Sequence, residues 1–347
     1  MTIHTLQYNK TGVSFALLVI GSAMVLITLM LLHIGLGSVQ LTIREAASAL
    51  LNLTTNDLHR QVVWELRLPR ALVALVAGAM LGLSGALLQT ITRNPLAEPS
   101  LTGVSTGGVL FIVAWLSFTP TTGEMSRYLP LIALAGGLGS GLLIYGLNWR
   151  GRSDPLRLAL IGVVVNAVLQ SLTALLLIYS QQLLDGLLLW LIGSVNGRVW
   201  THWHMLWPWA LVALPLGLAS ASLANVLHLG DEVATGLGLR VELARMGLFA
   251  LAALLAASAV SVVGAVGFIG LIGPHIARRL VGDDTRRVFI LSALIAATIL
   301  LAADLGARVV LLGMTPWLES SSTLPVGVVT ALIGGPFFLY LVRRNVR

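Results

Sequence analysis

The chain has 347 residues, of which 57% are hydrophobic and only 10% charged, and its mean hydropathy is +0.92. A soluble domain carries about a quarter charged residues, so most of this surface has lipid as its solvent and a large soluble domain is excluded. The formal charge of +7 comes almost wholly from arginine, Lys10 being the single lysine, and the lack of cysteine excludes disulfides, thiolate metal sites and cysteine nucleophiles.

At ~20 apolar residues per helical span, the length allows about ten spans in a single transmembrane domain over 1–347. Apolar runs bounded by charge, Gly or Pro predict them at 13–36, 70–92, 99–119, 129–148, 157–180, 203–226, 244–263, 266–281, 288–308 and 325–342. The first run lacks a small-residue cleavage site and reads as a true span rather than a signal peptide. Between the first two, 37–66 is moderately polar and predicts an amphipathic surface helix followed by a linker. Thr92-Arg-Asn-Pro-Leu-Ala-Glu-Pro99 has two prolines four apart, which makes a rigid turn suited to closing a pore mouth.

Later in the chain, Leu229–Arg245 is a charged, glycine-broken stretch between spans. Val233, Leu237, Val241 and Ala244 form an apolar stripe at helical spacing. Asp231 and Glu232 lie in the first turn and Arg240 and Arg245 near the end, as the helix dipole favours. Gly236 and Gly238 divide it into two short helices, and the whole predicts a docking element for a soluble partner. The run Gly264-Ala-Val-Gly-Phe-Ile-Gly-Leu-Ile-Gly-Pro274 is too broken for a plain span. Irregular backbone at membrane depth is tolerated only inside protein or along a cavity, so it points to a translocation path.

With ten spans both termini share a side. That side's loops and ends carry 14 basic residues and the opposite side's carry 7, which predicts cytoplasmic termini and a cytoplasmic 229–245 element. The charge lies in many separate loops, so it reads as topology and not as nucleic-acid binding. Trp190, Trp200, Trp203, Trp207 and Trp209 gather near the outer boundary as an aromatic belt.

Five blocks give the chain a resemblance to the FecCD permease family, the membrane subunits of type II ABC importers for iron-siderophores, heme and vitamin B12. They are Arg67-Leu-Pro-Arg70; Gly82–Pro99, with Asn94-Pro-Leu-Ala-Glu-Pro99; Leu229–Gly238; Val266–Gly282; and Ala303-Asp304 with Leu324–Pro336. The resemblance implies an all-α permease of ten helices, paired with a second copy or a paralogue. Two cytoplasmic ATPases, which hold the ATP and Mg, and a periplasmic or lipoprotein binding protein complete the importer. This chain then needs no cofactor and is not an enzyme, consistent with the lack of any Gly-x-x-x-x-Gly-Lys-[Ser/Thr].

Carried over by residue, the resemblance makes 229–246 the coupling helices, with Asp231, Glu232, Val233, Ala234, Leu237 and Gly238 at the ATPase. It makes Asn94 and Leu96, with Asp154 and Pro155, cytoplasmic gates. It makes Arg67, Arg70 and Arg308 contacts for acidic residues of the binding protein, Arg67 and Arg70 both facing outward. Asp304 stands four residues before Arg308, the favourable order for a helical pair, and reads as structural. Asn166 and Gln170 share a helix face and are nominated as path-lining, with interhelical bonding as the alternative. His275 and the His202–His204 pair lack the company of a metal site. The chain departs from the family at Gly273-Pro274 and in the loop 310–324.

The resulting expectation is a multi-pass inner-membrane importer subunit in a bacterium, carrying a ferric siderophore. Heme and vitamin B12 are alternatives within that class. The rival class, an ion-coupled secondary transporter, needs an intramembrane coupling charge, for which Asp304 near a span end is the only candidate.

Overall fold

The computed structural model describes residues 14–37, 39, 41–54, 56–119, 128–148, 155–179, 190–314 and 324–345. The order is α1 (Phe15–Gly35), α2 (Ile43–Leu50), α3 (Asp57–Gln61), a π segment (Val62–Arg67), α4 (Leu68–Thr92), a 3-10 turn (Pro99–Thr102), α5 (Val104–Phe118), α6 (Leu129–Asn148) and α7 (Pro155–Tyr179). There follow α8 (Trp200–Ala219), α9 (Ala221–His228), α10 (Asp231–Gly236), α11 (Val241–Val263), α12 (Ile269–Val281), α13 (Thr285–Met314) and α14 (Val326–Asn345). Among the described residues there is no strand.

Every apolar run predicted from sequence holds a helix, though not every one is a full-length span. Among the described residues seven helices are long and apolar enough to cross a membrane, and the bent pair α8–α9 makes an eighth. That pair turns by 43° at Ser220, one turn after Pro215, where the helix has lost a backbone donor. The remaining two, α5 and α12, have 15 and 13 residues and reach only ~20 Å.

Both shortfalls have one cause. Gly270, at the start of α12, lies against the carbonyl of Leu81 and the ring of Pro99, leaving no room for a Cβ. Leu81 stands eleven residues up α4 from Thr92, about 16 Å along the axis. The chain therefore leaves α4 at Arg93 and climbs back to membrane depth without helix before α5 can begin. The backbone groups of the break after α11 are satisfied by neighbours. Ser194 N–H donates to Val263 O at 2.8 Å, Ala265 N–H to Trp190 O at 3.1 Å, and Phe268 N–H to the Glu98 carboxylate.

The core is built around α4, buried along most of its length between α8, α11, α12 and α13. Its small residues set the approach: a Cβ on Gly85 would stand 1.9 Å from the Gly270 carbonyl oxygen. By contrast, α1, α7 and α14 are peripheral, with 6%, 17% and 28% of their most apolar windows buried.

The stretch 37–66 is only partly as expected. α2 is the amphipathic helix, started by a Thr42–Glu45 capping box. The residues after it are no linker, because Asp57–Thr92 is continuous helix through the π segment. The tryptophans also divide. Trp200 stacks on Trp64 at 6.4 Å and donates to the Trp64 carbonyl, and Trp64 donates to Ala49 O, so this pair fastens α2 to α8. Trp207 and Trp209 remain exposed as belt residues.

Candidate functional site

At the α2 end of the bundle, the charged side chains form a knot around Asp304, which is 1% exposed. Arg70 grips its carboxylate with two bonds, Nε–Oδ2 at 2.9 Å and Nη2–Oδ1 at 2.7 Å, and its Nη1 donates to Asn196 Oδ1 at 2.6 Å. His33 Nε2 donates to Asp304 Oδ2 at 2.7 Å. The i,i+4 partner Arg308 lies farther off, at 3.8 Å, and instead donates to the carbonyls of His33 and Leu36. Arg67 donates to Ile34 O and Gly35 O, both at 2.7 Å, and to Val39 O. Two guanidinium groups thus occupy the carbonyl end of α1, where its dipole is negative.

The outward-facing placement of Arg67 is therefore corrected. The π segment widens the turn just before it and aims its side chain into the bundle, where it is 5% exposed. Arg70 and Arg308 are also committed inside, but both still line a cavity of ≈ 350 Å³ with Arg67, Asn196 and Arg198. Arg198 went unnoticed in the sequence. It lies over the Trp190 ring at 5.2 Å and 3.3 Å from His202 Nε2, and among the described residues no carboxylate pairs with it. Burial and the neighbouring Arg70 bring its pKa down to about 10, so it stays cationic at neutral pH.

At mid-depth, the two nominated path residues part company. The Thr106 hydroxyl donates to Asn166 Oδ1, so Asn166 bonds α5 to α7. Gln170 lines a cavity of ≈ 270 Å³ with Thr106, Thr173, Leu191 and Ala265. On its far side, Ala265, Gly267 and Phe268 of the broken span face Val328 and Leu332 of α14 across an apolar cavity of ≈ 560 Å³. Phe268 has φ +66, and its ring fills the space over Gly334.

At the opposite end, α10 is short because it closes in a Schellman turn. Leu239 N–H reaches Ala234 O and Gly238 N–H reaches Thr235 O, with Gly238 at φ +83. Gly236 stays helical, so Gly238 alone makes the break. The apolar stripe is divided: Ala244 is buried and Val241 half-buried, whereas Val233 and Leu237 are 49% and 65% exposed, and Ala234 beside them is buried. Asp231 Oδ1 accepts from Arg93 Nη2 at 2.5 Å and from Arg245 Nη2 at 2.9 Å. Glu232 is exposed, and among the described residues no cation pairs with it.

The proline turn is rigid as expected. Asn94 Oδ1 accepts from Leu96 N–H at 2.9 Å, Ala97 N–H returns to Asn94 O, and both Asn94 and Leu96 are half-buried. The second gate lies outside this view: Asp154 and the loop residues 315–323 fall outside the described residues, and Pro155 enters only as the first residue of α7. Among the described residues no group of three metal-ligating side chains occurs.

Comparison with known proteins agrees with this architecture. The model of the FecCD transport family matches residues 25–344. The Fe(3+) dicitrate transport system permease protein FecD of Escherichia coli is 38% identical over 286 residues, 82% of this chain and 86% of that one. The iron(3+)-hydroxamate import system permease protein FhuG of Bacillus subtilis is 35% identical over 292 residues, 82% and 84% of the two chains. A solved inward-facing structure of a metal-chelate type ABC transporter superposes with a TM-score of 0.81 at 28% identity, covering 94% of this chain and 98% of that one. A multi-pass helical bundle whose sequence matches the family model over nearly its whole length, and whose relatives are transport permeases, is a transport permease: the chain belongs to the FecCD transport family.

Proposed function

We propose that this chain forms, with a second copy or a paralogue, the path by which a ferric siderophore crosses the inner membrane of a bacterium. Two cytoplasmic ATPases with ATP and Mg drive it, and a periplasmic or lipoprotein binding protein delivers the cargo. The observation that carries this reading is the opposite character of the two ends. The α2 end has a basic cavity lined by Arg198, which pairs with no carboxylate among the described residues, suited to acidic residues of a delivering protein. The α10 end offers Val233 and Leu237 exposed on a short capped helix, suited to a hydrophobic cleft. In this orientation the α10 end and both termini are cytoplasmic, as the arginine count favours.

The siderophore reading is supported by relatives named for ferric dicitrate and ferric hydroxamate. Reconstitution with the ATPase and binding protein tests it. Ferric citrate or a ferric hydroxamate on the binding protein is expected to stimulate ATP hydrolysis and uptake. Stimulation by heme or cobalamin instead would change the cargo. Uptake that survives an inactive ATPase but collapses with the proton gradient would overturn the class.

A further inference from the structure

One carboxylate joins three elements at the α10 end. Asp231 is the first residue of α10, Arg245 sits in the first turns of α11, and Arg93 caps α4. The Arg245 link is local, since α10 and α11 are already neighbours in sequence. The Arg93 link is different, because it ties the docking helix to a helix 138 residues away in the chain. Ala234 is the only residue of α10 that is itself buried, so Asp231 is its main polar hold on the bundle.

From Arg93 the contacts continue without interruption. Arg93 has φ +49, and its side chain also donates to Leu227 O at 3.0 Å. The turn Asn94–Ala97 is closed by its own hydrogen bonds and leads at once to Glu98. Glu98 is 6% exposed, and its carboxylate accepts the N–H of Phe268. The Phe268 ring packs on Gly334 of α14 and lines the ≈ 560 Å³ cavity. Arg93 and Phe268 are two of only three described non-glycine residues with positive φ. Left-handed Arg93 opens the closed turn, and left-handed Phe268 receives its far end through the Glu98 bond, so the segment is held at both ends as a strut and not a slack loop.

We infer that Asp231 and Arg93 are the positioning residues that carry movement of α10 through the Asn94–Glu98 strut to Phe268 at the wall of the path. Arg93 transmits, and Arg245 holds Asp231 in place to receive it. The inference rests on the importer reading above. It adds the specific contacts by which hydrolysis in another subunit reaches the path.

The absence of cysteine allows a direct test in the assembled complex. Ala331 is exposed beside Phe268 in the cavity, so Ala331→Cys reports there through its thiol-labelling rate with and without ATP. In the parent chain the rate is expected to change with ATP. In Arg93→Gln, ATPase assembly and ATP hydrolysis persist; there and in Asp231→Asn the labelling change disappears and uptake per ATP falls about tenfold. Arg93→Lys keeps the charge and recovers part of both, which also covers a glutamine variant that fails to fold. Full uptake per ATP with an intact labelling change in Arg93→Gln or Asp231→Asn would overturn the inference, as would a parent thiol indifferent to ATP during ATP-driven uptake. A parent complex without ATP-driven uptake would be a failure of the importer reading itself.

Discussion

Asp304 holds two cations and a histidine together in a place with little access to water. Its closest ion-pair partner is not the arginine one helical turn away but Arg70, which approaches from α4 at 2.7 Å. Breaking a buried pair from one side leaves charge uncompensated. Asp304→Ala is expected to cost about 3–5 kcal/mol, read as a lowered thermal midpoint in detergent. Arg67 and Arg198 make a second contrast. Arg67→Ala removes two bonds to the end of α1 and one to Val39 O, and should lower the thermal midpoint while leaving capture of the binding protein nearly unchanged. Arg198→Glu should slow capture roughly tenfold, the difference narrowing as ionic strength rises. Sequence spacing revealed the Asp304–Arg308 pair because both lie on one helix. It could not reveal Arg70 or His33, which come from 234 and 271 residues away. It misplaced Arg67 because the carbonyls that draw it inward, those of Ile34, Gly35 and Val39, come from 28 to 33 residues away.

At the level of elements, the apolar runs were legible and their ends were not. A run such as 99–119 announces a span by composition, yet Pro99–Thr102 is already at depth when α5 begins. The ascent from Arg93 depends on contacts with Gly270 that no local pattern contains. Gly85 and Gly139 show how packing distinguishes equal letters. Gly85→Ala forces its methyl into the Gly270 backbone and should cost about 1–3 kcal/mol. Gly139→Ala meets nothing within 4 Å and should be neutral or slightly stabilising by the same thermal assay. In α10 the glycine break and the charged ends were readable, but the division of the stripe was not. Leu237 is the exposed half, so Leu237→Glu is expected to weaken ATPase docking by about 2 kcal/mol, seen as loss of co-purification with the thermal midpoint unchanged.

For the molecule as a whole, burial sorts the helices into a fixed centre and an open rim. α4, α11 and α13 have most of their apolar windows covered, whereas α1, α7 and α14 do not. Those rim helices leave most of their apolar surface uncovered by the rest of the chain. Of these, α7 and α14 carry cavity walls, with Gln170 on one and Val328 and Leu332 on the other. α1 is the exception, since it borders none of these cavities and is fastened at one end by Arg67, Arg308 and the His33–Asp304 bond. That fastening has a consequence for how the protein is made. His33 emerges from the ribosome 271 residues before Asp304, an interval of roughly 15–50 s at ordinary synthesis rates. Throughout it, α1 stands in the bilayer with Arg67 as its early fastening and with Asp304 and Arg308 not yet synthesised. A nascent chain halted before α13 should therefore hold α1 more loosely than the finished bundle does, and a helix made early is among the last to be fully secured.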